Sequence, residues 1–266
     1  MSSIFRKTLF EALGRAGRLI RANGERANKI EFKNQSAINL VTWVDKKADR
    51  LIRETISRRF PSHDLLTEES VATMRGSRYK WIVDPLDGTT NFAHHFPQVG
   101  VSIVLEQDGT IVLGGVYDPF REELFWAEKG QGAWMKKGRR QRKIRVSKNR
   151  GLRQSLLLTG FPYDRRERID LYLSYVKAFM TKIQGIRRAG AAALDLCWVA
   201  CGRVDGYWEW RLKPWDTAAG KLIVEEAGGR MSDFSGKPFS VYGEQTLATN
   251  GLIHREMLAV MKRLRR

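Results

Sequence analysis

The chain has 266 residues, enough to bury a sizeable core as one large domain or as two closely packed ones. Hydrophobic residues make up 42% and tryptophan occurs eight times, which argues against disorder, and no apolar run approaches the ~20 residues needed to cross a bilayer. The formal charge of +18 would attract polyanions, whether phosphorylated metabolites, nucleic acid or an acidic membrane surface, without choosing among them.

The basic residues are spread along the chain, with one dense run from Lys136 to Lys148 and a basic C-terminal end. Dispersed Lys and Arg are more often solvated faces than a binding groove. The N-terminus has basic residues but no apolar core followed by a small-residue cleavage site, so no signal peptide is read there. Cys197 and Cys201 lie four apart with no second Cys/His pair at zinc spacing, and read as buried thiols in a reducing compartment. A cytoplasmic protein without membrane contact is the expectation.

Apolar positions Ile4, Leu9, Leu13, Leu19 and Ile20 predict a first helix to about Ala22, stopped by Asn23-Gly24. Ile38 to Val44 leads into Asp45, read as the N-cap of a second helix reaching about Arg59, before Phe60-Pro61. Asp64 to Thr67 predicts a short strand that delivers Glu68 and Glu69. After Lys80 to Val83 come two predicted hairpins, Val99–Glu106 with Ile111–Tyr117, then Leu124–Ala127 with Gly132–Met135. The basic run from Lys136 to Arg150 is the expected junction.

Beyond it, strands at Ser155–Thr159, Gly185–Arg188 and Val204–Trp210 alternate with helices near Arg166–Lys182 and Ala191–Cys201. Pro214 opens a helix to about Ala227, and strands at Arg230–Asp233 and Thr246–Ala248 precede a last helix from about Leu252. The first half therefore reads as α+β (1–145) and the second as α/β (146–266), packed as one unit.

The most informative stretch is Trp81 to Phe92, WIVDPLDGTTNF. A buried strand ends there in a carboxylate, a proline, a second carboxylate and a glycine, which would present Asp84 and Asp87 at a sheet edge where ligands bind. Two carboxylates held this closely repel, and at neutral pH need a proton, a cationic side chain or a divalent metal between them. Asp, Pro and Gly also end strands for no functional reason, but the full string is far more specific than that. Glu68, Asp45 and Asp216 are acids of the same character. Asp216, in a first helical turn, could by itself be merely a dipole-stabilising cap; the occurrence of these acids together with the central motif points to a site. His94 and His95 are adjacent and would point apart, and read as surface or substrate-mouth residues rather than zinc ligands. The three-residue spacing of Asp84 and Asp87 does not fit the D-x-D of aspartyl-phosphate phosphatases, and Gly220-Lys221 lacks the glycine and hydroxyl residue of a P-loop.

The chain resembles the inositol monophosphatase family, and more closely its bacterial extragenic-suppressor (SuhB-type) branch. The likeness is carried by Thr67-Glu68-Glu69-Ser70, Trp81 to Phe92 and Pro214 to Gly229, supported by Val41 to Asp45, Arg188 to Asp195 and Gly202 to Gly206. It implies a layered αβαβα sandwich and a Mg²⁺-dependent phosphomonoesterase that hydrolyses inositol 1-phosphate and related polyol phosphates by attack of a metal-activated water. By the resemblance, Glu68, Asp84 and the Leu86 carbonyl would hold one Mg²⁺, and Asp84, Asp87 and Asp216 a second, in a site of two or three ions. Glu68, and Thr89 paired with Asp45, would orient and deprotonate the water. Gly88 and Thr89 would offer N–H groups to the phosphate, with Asp87, Gly190, Ala191, Ala192, Glu209 and Asp216 completing the substrate pocket.

Lithium inhibition and a homodimer follow from the same resemblance. Family members often carry a lysine before the threonine-rich stretch; Lys33 is near that place and is left out of the site. Alternatives are another small phosphate ester as substrate, or a protein whose main role is binding RNA or transcription machinery, for which the positive charge would be suited.

Overall fold

The computed structural model describes residues 3–25, 30–32 and 40–264. Lys33, and the Ile38-Asn39 start of the expected second strand, lie outside the described residues. Helix α1 (Ser3–Asn23) buries Leu9, Ala12, Leu13, Ala16 and Ile20 along one face. At Gly17 an added Cβ would fall 2.3 Å from the Tyr117 ring, so glycine is what lets α1 settle on the sheet beneath it.

Strand β1 (Ile30–Phe32) pairs antiparallel with β2 (Leu40–Thr42), which runs straight into α2 (Trp43–Arg59). The cap of α2 is Thr42, not Asp45. Thr42 accepts from the Val44 and Asp45 N–H groups, while the Asp45 side chain accepts from the Thr42 N–H at 2.9 Å. This reciprocal capping box moves the helix start three residues ahead of the expected position.

Seven strands form the larger sheet in the order β3-β4-β5-β6-β7-β8-β9. β3 (Asp64–Thr67) lies parallel to β4 (Tyr79–Asp87). From β4 the sheet continues antiparallel through β5 (Gly100–Gln107), β6 (Thr110–Asp118), β7 (Glu123–Glu128), β8 (Ala133–Lys137) and β9 (Arg140–Lys143). Alternation along the strands divides the core. Trp81, Val83, Ile103 and Leu105 pack under α1 and α2, while Ile82 and Val104 face the opposite side. The basic run that reads as a junction contains β9, a strand whose four residues are all exposed. Its charge hid it from hydrophobic patterning, and an edge strand with three cations in four residues discourages pairing with another chain.

The smaller sheet has the order β11-β10-β12-β14-β13. Its strands are β10 (Leu156–Thr159), β11 (Gly185–Arg187), β12 (Gly206–Trp210), β13 (Arg230–Ser232) and β14 (Gln245–Thr249). α4 (Arg165–Met180) and α7 (His254–Arg263) cover its outer face through Tyr172, Phe179, Trp208 and Met257. Between the two sheets lie α5 (Ala192–Ala200) and α6 (Pro214–Glu226). α5 is apolar on nearly every side, as a helix buried between two layers must be, whereas α6 buries Ala218, Ala219, Leu222 and Ile223 and keeps the Lys221–Glu225 pair towards solvent. The two helices approach closely at Gly220, where a Cβ would stand 2.4 Å from Leu196. The chain is thus a mixed α/β protein layered helix, sheet, helix, sheet, helix, as the resemblance implies.

Asp205 explains why Gly202 to Gly206 carries part of that resemblance. Its carboxylate accepts from Ser147 Oγ at 2.5 Å and the Leu156 N–H at 2.8 Å, fixing the segment that leads into the second sheet. That role is structural.

Candidate active site

The site is built where β4 ends. Residues three apart on a regular strand face opposite sides of the sheet. Here the β4–β5 pairing shifts between Asp84–Ser102 and Asp87–Gly100, so Pro85 and Leu86 stand against Val101 alone. Such a bulge adds one residue to the count and brings the flanking side chains to the same side. Pro85 suits the place because it has no N–H to pair. Gly88 then takes a left-handed φ of 95°, and a Cβ there would sit 2.8 Å from the Gln98 carbonyl. The short helix α3 (Thr89–Ala93) follows inside the motif, an element not anticipated from the sequence.

The other acids are delivered from separate elements. Because β3 is parallel to β4 with Thr67 beside Val83, Glu68 leaves its strand next to Asp84, and its N–H bonds the Val83 carbonyl at 3.1 Å. Asp216 lies in the first turn of α6 and accepts from the Lys213 N–H at 2.6 Å, so it does cap that helix. Ser102, the partner of Asp84 on β5, donates to the Trp215 carbonyl at 2.9 Å and ties the start of α6 to the bulge. Asp45 is fully buried; its Oδ2 holds the α2 cap and its Oδ1 accepts from Thr89 Oγ1 at 2.9 Å. The Thr89 hydroxyl also lies 3.2 Å from the Leu86 carbonyl.

The second half closes the pocket. Asp87 Oδ2 accepts from the Ala193 N–H at 2.7 Å, which clips the start of α5 onto the bulge. Asn91 Nδ2 reaches the carbonyls of Gln98, Ala189 and Gly190, holding the Gly190-Ala191-Ala192 turn against α3. Gly190 has a φ of 87°, and its carbonyl and the Ala191 side chain lie beside Gly88. Glu209 enters from β12, buried, with Tyr207 donating to its Oε2 at 2.5 Å. Sequence reasoning singled out Asp45, Glu68, Asp84, Asp87, Glu209 and Asp216 but not Asn91 and Ser102, whose contacts are distant in the chain, nor Tyr207, two residues from Glu209 on β12. It also missed Asp195, a buried carboxylate in α5 whose Oδ1 has no partner.

The electrostatics follow from this crowding. Burial pushes the Asp84 carboxyl well above the usual range, and the charges of Glu68, Asp87 and Asp216 push it further. Asp87 is raised to about 7, chiefly by burial, despite the Ala193 N–H. Asp216 is raised by burial and by Glu68 and Asp87; Asp45 is raised chiefly by burial, against its hydrogen bonds from Thr42 and Thr89. Among the described residues, no three His, Cys, Asp or Glu side chains already close on a common point. The donor set nevertheless fits a hard divalent ion: oxygen ligands only, with Asp84 and Asp87 buried and neighbouring charge raising Asp84, Asp87 and Asp216.

The sequence profile of the inositol monophosphatase family matches residues 2–265. An Escherichia coli K12 protein named Nus factor SuhB is 41% identical over 253 residues, spanning 94% of this chain and 93% of its own length. A Synechocystis protein named inositol-1-monophosphatase is 43% identical over 254 residues, spanning 93% of this chain and 85% of its own. The crystal structure of extragenic suppressor protein suhB from Bartonella henselae superposes with a TM-score of 0.92 at 37% identity, covering 98% of this chain and 99% of that one. With the family profile and the fold both matching along nearly its whole length, the chain belongs to the inositol monophosphatase family.

Proposed function

We propose that the chain is a Mg²⁺-dependent phosphomonoesterase acting on inositol 1-phosphate and related polyol phosphates. The observation that carries this reading is the gathering of Glu68, Asp84, Asp87 and Asp216 at the bulged end of β4 in a member of this family. Glu68, Asp84 and the Leu86 carbonyl would hold one ion, and Asp84, Asp87 and Asp216 a second, within a site of two or three. Bound Mg²⁺ supplies neutralisation of phosphate charge and a lowered pKa for water.

The chain's own groups supply the rest. Thr89 Oγ1 donates its proton to Asp45 Oδ1, which leaves the hydroxyl oxygen free to accept from the attacking water. Asp45 is buried with a raised pKa, so it can take up a proton passed through Thr89. Glu68 orients the same water. The first N–H groups of α3 have no partner within the helix, and those of Gly88 and Thr89 face the phosphate oxygens. On the alcohol side, Asp87, the Gly190-Ala191-Ala192 turn and Glu209 receive the hydroxyls. The test is phosphate release from inositol 1-phosphate in the presence and absence of magnesium. Other small phosphate esters are the substrates to try next.

A second reading, binding of RNA or transcription machinery, is favoured by the charge of +18 and the exposed cations of β8 and β9. An RNA affinity that falls steeply with salt and is untouched by Asp84→Asn would support it. Affinity no greater than that of an unrelated basic protein would remove it. We further propose a homodimer, for which the exposed Ile169, Leu173 and Met180 on α4 offer an apolar stripe; light scattering reads the mass directly. A cytoplasmic location is supported by two free thiols and by the lack, among the described residues, of a helix long and apolar enough to cross a membrane.

A further inference from the structure

Tyr207 and Glu209 are two apart on β12, so their side chains leave the same face of the strand. Tyr207 is fully buried, and its hydroxyl fixes Glu209 through Oε2 at 2.5 Å. An O–H bond to a carboxylate at that distance is among the strong ones. Glu209 Oε1 takes no hydrogen bond from the described residues and, unlike Asp195 Oδ1, is not sealed from solvent.

Gly160 makes this arrangement possible. A Cβ at that position would lie 1.9 Å from Glu209 Oε2 and 2.4 Å from Oε1. Its φ is not in the left-handed region, so space rather than backbone conformation calls for glycine there. A buried carboxylate is thus held by a phenol on one oxygen, given room by a glycine, and left open on the other.

We propose that Tyr207 and Gly160 set the substrate selectivity of the site by holding Glu209 so that Oε1 accepts a hydrogen bond from a hydroxyl of the substrate's alcohol. The inference rests on the phosphatase reading above, which already puts Glu209 on the alcohol side, and adds the two residues that hold it there. Tyr207 is a positioning residue; it touches Glu209, not the reacting phosphate. A site built to bond a hydroxyl disfavours an ester without one, because the carboxylate is then buried unpaired.

The experiment compares inositol 1-phosphate with 4-nitrophenyl phosphate, which has no aliphatic hydroxyl, for wild type, Tyr207→Phe and Gly160→Ala. In both variants kcat/KM for the inositol ester is expected to fall at least about tenfold further than for the nitrophenyl ester, with the difference lying in KM. Equal losses on the two esters would show a merely structural role and overturn the proposal, as would an unchanged ratio. Thermal melts check that each variant folds, and either variant alone carries the test. A wild type that hydrolyses the nitrophenyl ester without preferring the inositol ester overturns the selectivity claim alone. A wild type that hydrolyses neither overturns the phosphatase reading itself.

Discussion

Asp84→Asn is expected to reduce phosphate release by more than about 100-fold, beyond the roughly 10–100-fold typical of residues that only support a metal ligand. In the proposed site Asp84 would belong to both groups of ligands, so its loss would weaken both. The same substitution should leave the metal-free protein at least as stable as wild type. Asp84 is 1% exposed, and burial together with three neighbouring carboxylates already destabilises its charge. Asparagine keeps the shape and can still accept from the Leu86 N–H, bonded now at 2.9 Å, while removing the repulsion. A thermal melt in chelator beside an activity assay reads both effects. A large fall in melting temperature would make Asp84 a structural acid and contradict its role. Retained magnesium-dependent activity would contradict it equally.

Magnesium is expected to raise the melting temperature, and to raise it more at pH 8 than at pH 5.5. In the folded chain Asp84, Asp87 and Asp216 have pKa values above their ordinary value of 3.8, so folding takes up protons. The stability these groups contribute without metal is fully present below that ordinary value. It is lost as pH rises, for Asp87 through about 7. Magnesium competes with those protons, so its stabilisation grows over the same window. At a hundred times the dissociation constant a ligand adds about 2.7 kcal/mol, which for a chain of this size is a shift of about 5–10 °C. Scanning calorimetry at the two pH values checks it. An equal shift at both, or none at either, would mean that these carboxylates do not bind the ion.

Most of the fold was legible because its signals are local. The unbroken apolar run Trp81-Ile82-Val83 marks a strand buried on both faces, and Pro214 followed by a helical pattern to Gly228-Gly229 marks α6. The errors also have physical causes. At the start of α2, Thr42 and Asp45 share the capping, and only the reciprocal bond shows which of them is the cap. β9 has no apolar residue, so nothing in its composition separates it from a solvated loop. The candidate acids could be picked out because the whole string Trp81 to Phe92, taken with Glu68, Asp45 and Asp216, is far more specific than an ordinary strand-ending turn. What holds them together could not. The bulge that turns Asp84 and Asp87 to one side is a property of the pairing with β5. Asn91 reaches across to Gly190, Ser102 to Trp215, and Gly160 yields to Glu209; each of these contacts joins residues far apart in the chain.

The most direct test of the central claim is phosphate release from inositol 1-phosphate by the wild-type chain, assayed with magnesium and again with chelator. The expected result is steady release with magnesium and none with chelator, restored when magnesium is added back. No release under either condition, from a folded protein that melts at the same temperature with and without magnesium, would contradict the account and bring the RNA-binding reading to the front.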